Sequence, residues 1–109
     1  MFELYQSEKS GEYYFRLKAK NGQIILASEG YSSKAAAQSG IESVKKNAAD
    51  KDQFEVKESA NGKTYFQLKA GNGQTIGKSQ MYASASGAKN GIESVMNNAP
   101  EAQVKDLTA

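Results

Sequence analysis

Apolar and polar residues alternate at the start of the chain, with Phe2 and Leu4 set against Glu3 and Tyr5. A period of two is that of a strand with one buried face, so Phe2 to Gln6 is read as a strand. SEKSG, residues 7–11, is a turn by composition. Glu12 to Ala19 alternates again, Tyr13, Phe15, Leu17 and Ala19 facing one way and Tyr14, Arg16 and Lys18 the other. Asn21-Gly22 predicts a type I′ hairpin, in which both residues take positive φ. Gln23 to Ser28 is a third strand. The period then changes to 3.6: Ala37, Gly40, Ile41, Val44 and Ala48 share one stripe of an amphipathic helix within Tyr31 to Ala48. Ser33 is placed to cap its first turn, and Asn47 to end it in a left-handed conformation.

The cycle restarts after a polar hinge at residues 49–53. Phe54 to Ser59 echoes the first strand and Lys63 to Ala70 the second. Asn61-Gly62 joins them in a turn one residue shorter than its counterpart. Asn72-Gly73 repeats the hairpin, and Gln74 to Lys78 echoes the third strand. The second helix, from Ser84, carries Ala88, Gly91, Ile92, Val95 and Ala99 on its stripe, with Asn98 near its end and Pro100 beyond. Residues 11–49 match residues 62–100 at roughly half their positions, an internal repeat of two copies. The tail, with Val104 and Leu107, reads as a short last strand.

Three strands then a helix, twice over, predict an α+β fold. Its sheet is a single antiparallel one of six or seven strands, with both helices on one face and a pseudo-two-fold axis between the halves. Each half, 1–52 and 53–109, is marginal for an independent core, so 1–109 is expected to be one domain. The expected core is Phe15, Leu17, Ile41, Val44, Phe66, Leu68, Ile92 and Val95, with Ile25 and Ile76. A mid-helix glycine costs roughly 1 kcal/mol against alanine. Gly40 and Gly91, both on the buried stripe, therefore predict a close approach by a neighbouring element.

Fourteen Lys and Arg against twelve Asp and Glu leave a net charge of +2, too small to argue for nucleic acid by itself. No Cys excludes disulfides and thiol chemistry, and no His removes the commonest general base and metal ligand. The first residues lack the apolar run of a secretory signal, and no stretch nears the ~20 apolar residues of a spanning helix. A cytoplasmic chain that does not enter a membrane is expected.

The segments GYSSKAAAQSGIESVKKNA and NGKTYFQLKAGNGQTI carry a resemblance. The chain resembles the YegP-like family of small uncharacterised bacterial proteins over nearly its whole length, in both copies. The resemblance implies a tandem β-β-β-α-β duplication whose halves share one sheet and exchange their last strands. Some members resemble a single copy that pairs as a dimer, which makes a two-copy chain a monomer that is its own dimer. It brings no activity and no catalytic residues. Leu26 is replaced by Gly77 in the second copy, a departure from strict equivalence of the halves.

Four sets of residues invite chemistry. Tyr14, Arg16, Lys18, Tyr65, Gln67 and Lys69 would share one sheet face, where tyrosines can stack on bases and cations meet phosphates. The plainer reading is a solvated face with cross-strand pairs. Glu42 and Glu93 recur in the helices, but Lys45 and Lys46 flank Glu42 as an ordinary surface pairing. Tyr31 and Tyr82 precede the helices and are read as packing anchors. The Asn-Gly turns join strands to strands, so they are hairpins and not phosphate loops. No catalytic residue, cofactor or metal site is assigned. The leading expectation is a non-catalytic binding or interaction module, with a protein as one class of partner. RNA binding through the tyrosine-rich face is second, and an enzyme is third.

Overall fold

A computed structural model describes residues 1–108. Among these residues the chain forms β1 (Phe2–Gln6), β2 (Tyr13–Lys18), β3 (Ile24–Ala27), α1 (Lys34–Asn47), β4 (Phe54–Glu58), β5 (Thr64–Lys69), β6 (Thr75–Lys78), α2 (Ala85–Asn98) and β7 (Val104–Asp106). One short 3-10 turn, Lys51–Gln53, leads into β4. The sheet order is β4-β5-β6-β3-β2-β1-β7. The order from β4 to β1 reads the same from either end, half for half.

Six strands pair antiparallel, as alternation and hairpins require. β7 departs from the expected antiparallel sheet, because it runs parallel to β1, with Phe2 opposite Val104 and Leu4 opposite Asp106. The reason is topological. α1 delivers the chain to the start of β4, and the pseudo-two-fold therefore makes α2 deliver it to the start of β1. The seat beside β2 is already taken by β1, so β7 runs alongside β1 in the same direction. Its first rung is Phe2 N–H donating to the Gln103 carbonyl at 2.8 Å. The strand that closes the chain thus lies on the first half.

The turns differ from the type I′ expectation. Gly22, Gly62 and Gly73 have φ of +80 to +86°, but no asparagine has positive φ. Gly22 N–H donates to the Ala19 carbonyl and Ala19 N–H to the Gln23 carbonyl. That is a three-residue loop, a type I turn followed by one left-handed glycine. Asn21 serves through its side chain, whose Oδ1 accepts from Gln23 N–H at 3.0 Å. The Gly62 and Gly73 turns repeat the pattern.

Ser33 and Ser84 cap the helices as expected, accepting from Ala36 N–H at 3.1 Å and Gly87 N–H at 3.2 Å. Asn47 and Asn98 are not left-handed. They stay helical, and each Nδ2 donates back to a serine carbonyl one turn earlier, Ser43 and Ser94. This satisfies an end-of-helix acceptor without a left-handed residue.

Both stripes are buried, and every expected core residue joins one continuous cluster. Phe2, Leu4 and Leu26 belong to it as well. α1 lies over β2 and reaches β6, while α2 lies over β5 and reaches β3, so each helix packs on both halves. Gly40 shows why glycine is needed there. A Cβ would sit 2.6 Å from the Tyr31 hydroxyl and 2.8 Å from the Phe15 ring. Gly91 meets Tyr82 and Phe66 in the same way. Tyr31 stacks on Phe15 and Tyr82 on Phe66, and each tyrosine pairs with β2 or β5 through an isolated bridge. They are the packing anchors that the sequence implied.

Candidate functional site: the helix-free face of the sheet

In-out alternation along β2 and β5 sends Phe15, Leu17, Phe66 and Leu68 under the helices. It sends the other side chains to the opposite face. All six candidate residues lie on that face and are half-buried. They do not form one cluster. β3 and β6 separate β2 from β5, and three inter-strand steps of about 4.8 Å keep the two groups about 14 Å apart.

The first group is built on Glu3, which β1 places directly opposite Arg16. Arg16 Nε meets Glu3 Oε1 at 2.7 Å and Lys18 Nζ reaches the same oxygen at 3.3 Å. The Arg16 guanidinium also lies over the Tyr5 ring, 4.8 Å from its centroid. Tyr5 in turn stacks on Tyr14 at 5.7 Å. The Arg16 hydrogen bond, with Lys18 beside it, holds the Glu3 carboxyl below the usual carboxylate range.

The second group repeats the theme with changed members. Lys69 Nζ meets Glu55 Oε2 at 2.5 Å and Lys57 Nζ meets Oε1 at 3.4 Å. Lys69, then Lys57, likewise holds Glu55 below its ordinary range. Lys78 covers the Tyr65 ring at 4.7 Å, and Gln67 neighbours Thr75 at 3.4 Å. Between the groups, where β3 and β6 share only the Ala27–Lys78 pair, lies a cleft of about 370 Å³. Its lining includes Ser28, Glu29, Gln67, Thr75, Lys78 and Ser79.

The face can hold a ligand by stacking, by cation–π contact and by exchange of its ion pairs. Two of its carboxylates, Glu3 and Glu55, are already neutralised by paired cations. Sequence reasoning missed Glu3, Tyr5, Glu55, Lys57 and Lys78. Alternation in FELYQ and FEVKE already placed the first four on this face; their partners across the ladder required the register. Glu42 and Glu93 lie exposed on separate helices, and Glu42 is 4.0 Å from Lys45, an ordinary surface pair. Among the described residues no group of three acids is placed to hold a metal ion, and no helix is long and apolar enough to cross a membrane.

The sequence profile of a domain of unknown function, DUF1508, matches the chain twice, over residues 8–55 and 59–106. The chain belongs to the YegP-like UPF0339 family. A UPF0339 protein from the ptx operon 5′ region of Stutzerimonas stutzeri is 55% identical, over 97% of this chain and 95% of that protein. UPF0339 protein YegP of Yersinia pestis is 52% identical, over 92% and 89%. Two solution NMR structures of the family superpose with a TM-score of 0.92 each. One is UPF0339 protein SO3888 of Shewanella oneidensis, 46% identical over 98% of this chain and 90% of that one. The other is yegP of Escherichia coli, described as of unknown function, 48% identical over 99% and 92%. The family match ends its first copy inside β4 and its second at the end of β7. The family's unit is therefore two strands, a helix and a closing strand, preceded in this chain by β1.

Proposed function

We propose that this chain is a non-catalytic interaction module of the cytoplasm, and that the helix-free face of its sheet binds a protein partner. The observation that carries the reading is the cleft at the seam of the halves, flanked on both sides by tyrosine–cation–carboxylate groups. An ion-paired, aromatic face with a shallow polar cleft suits reversible recognition. Aromatics and Arg are the side chains that contribute most at interfaces. Single-stranded RNA is the second reading, favoured by the two cations seated over tyrosine rings. It ranks lower because Arg16, Lys18, Lys57 and Lys69 are each paired to a carboxylate that a phosphate would have to displace.

The test is capture from native lysate on three immobilised proteins: wild type, Arg16→Glu/Tyr65→Ala, and a control altered on the exposed helix surface at Lys46→Glu. A protein retained by wild type and control but lost from the face variant supports the reading. Nuclease-sensitive RNA with the same dependence favours the second reading. Retention indifferent to the face variant overturns both.

A further inference from the structure

The two halves present equivalent edges that are treated unequally. Phe2 and Leu4 of β1 correspond to Phe54 and Val56 of β4, each pair facing the same residues of the neighbouring strand. β7 covers the outer edge of β1, and Leu4 is 0% exposed. Among the described residues nothing pairs with the outer edge of β4, and Val56 is 51% exposed. We propose that this edge pairs with the β4 edge of a second copy of the chain, antiparallel about a two-fold axis through Val56.

Backbone alternation supplies the bonds. Ser59 N–H donates to the Lys63 carbonyl, so Lys57 and Glu55 also turn their main-chain groups toward β5. Phe54, Val56 and Glu58 consequently aim theirs outward. Two Val56 residues facing each other across the axis exchange two hydrogen bonds. Each Glu58 N–H donates to the Phe54 carbonyl of the other copy, adding two more. The Phe54 N–H is not needed, since it already donates to the Lys51 carbonyl.

Charge selects this register. Read backwards, FEVKE sets Glu55 of one copy opposite Lys57 of the other, twice, and Val56 opposite Val56. The Glu–Lys pairs fall at non-hydrogen-bonded positions, where opposed side chains are closest. A Lys and two Glu on an edge strand normally repel indiscriminate pairing. Here the same charges complement one another in the two-fold register. The valines cover each other on the helix side, and the two helix-free faces become one surface. A closed two-fold needs no further copies. One five-residue edge is small for an interface, so the dimer is weak and concentration-dependent. It departs from the monomer expected of a chain that is its own pseudo-dimer, and it stands independently of the proposed use of the sheet face.

Sedimentation equilibrium from about 10 μM to about 1 mM, the range suited to a small interface, reads the outcome. The expected result is a weight-average mass rising toward twice that of one chain. Lys57→Glu alone and Glu55→Lys alone should each remain single chains, since each sets like charges opposite one another. Their equimolar mixture should recover the doubled mass, because unlike charges then meet at both pairs. Both substitutions are on half-exposed side chains of a strand held by β5, and folding is checked by circular dichroism. A mass that stays at one chain throughout overturns the proposal. So does association unchanged in Lys57→Glu, or growth beyond two copies, which would indicate β4 pairing with β7 of the next chain.

Discussion

Asp106 ties the last strand to the first helix. Its Oδ2 lies 2.5 Å from Lys34 Nζ, and its Oδ1 accepts from the Thr108 N–H and hydroxyl. Lys34 sits in the first turn of α1, where the helix dipole disfavours a cation, and the carboxylate offsets that charge. These partners, Lys34 first, pull the Asp106 carboxyl from 3.8 to about 2. A folded value below the unfolded one means that the contribution is present above 3.8 and is lost as the pH falls toward 2. Amide protection of β7 should therefore drop across that window, and Asp106→Asn should remove most of this pH dependence. Gly40 gives a second prediction at the same scale. Alanine there gains roughly 1 kcal/mol of helix propensity but overpacks rigid rings at a cost of about 1–3 kcal/mol. Gly40→Ala should lose up to about 2 kcal/mol in urea unfolding. Adding Tyr31→Phe, which removes the nearest atom, should recover part of it. Equal losses with and without the hydroxyl would place the strain elsewhere. Sequence showed that the glycine stripe needed a close neighbour; only the fold named the tyrosine from the segment just before the helix.

The elements were legible to the extent that their period was regular. α1 and α2 appear where the 3.6 spacing starts and stops, and Ile41 is buried as the stripe demands. Ile41→Ala should cost about 2–5 kcal/mol by chemical denaturation. A loss below that range would mean that the site collapses to fill the gap. β7 was less legible, because three residues carry no period and its direction follows from where α2 ends. Removing residues 101–109 uncovers Phe2 and Leu4. Full burial of each is worth roughly 1.5–3 kcal/mol, so exposing about half of both should lower global stability by about 1.5–3 kcal/mol. A fraying terminus alone would leave the urea midpoint unmoved. Leu4 escaped the expected core for the same reason: what buries it comes from the far end of the chain.

At the scale of the whole molecule the seam decides most. β3 and β6 meet at the axis through one residue pair, and Leu26 of one half lies against Gly77 of the other. A Cβ on Gly77 would be 2.7 Å from the Leu26 side chain. The two positions are equivalent in the repeat, and near the axis there is room for one leucine. Their difference in sequence is packing across the two-fold, so the broken equivalence of the halves is what lets them close. Leu26→Gly should cost at least the 2–5 kcal/mol of a buried Leu→Ala change, and Gly77→Leu about 1–3 kcal/mol or more from overpacking. The exchange Leu26→Gly/Gly77→Leu should be more stable than either single change. A double variant as unstable as the sum of the two would deny the knob-and-hole reading of the seam.

Period, repeat and cap residues determined by themselves that this chain is two copies of strands followed by a helix, and which residues of each copy turn inward. Those are local properties, written in the spacing of neighbours within a few residues. The tertiary structure alone decided that β7 runs parallel on β1, that Leu26 fits over Gly77, and that β4 keeps a bare edge. Each of these joins residues far apart in the chain. Their meeting depends on where the two-fold axis falls, and no local pattern encodes it.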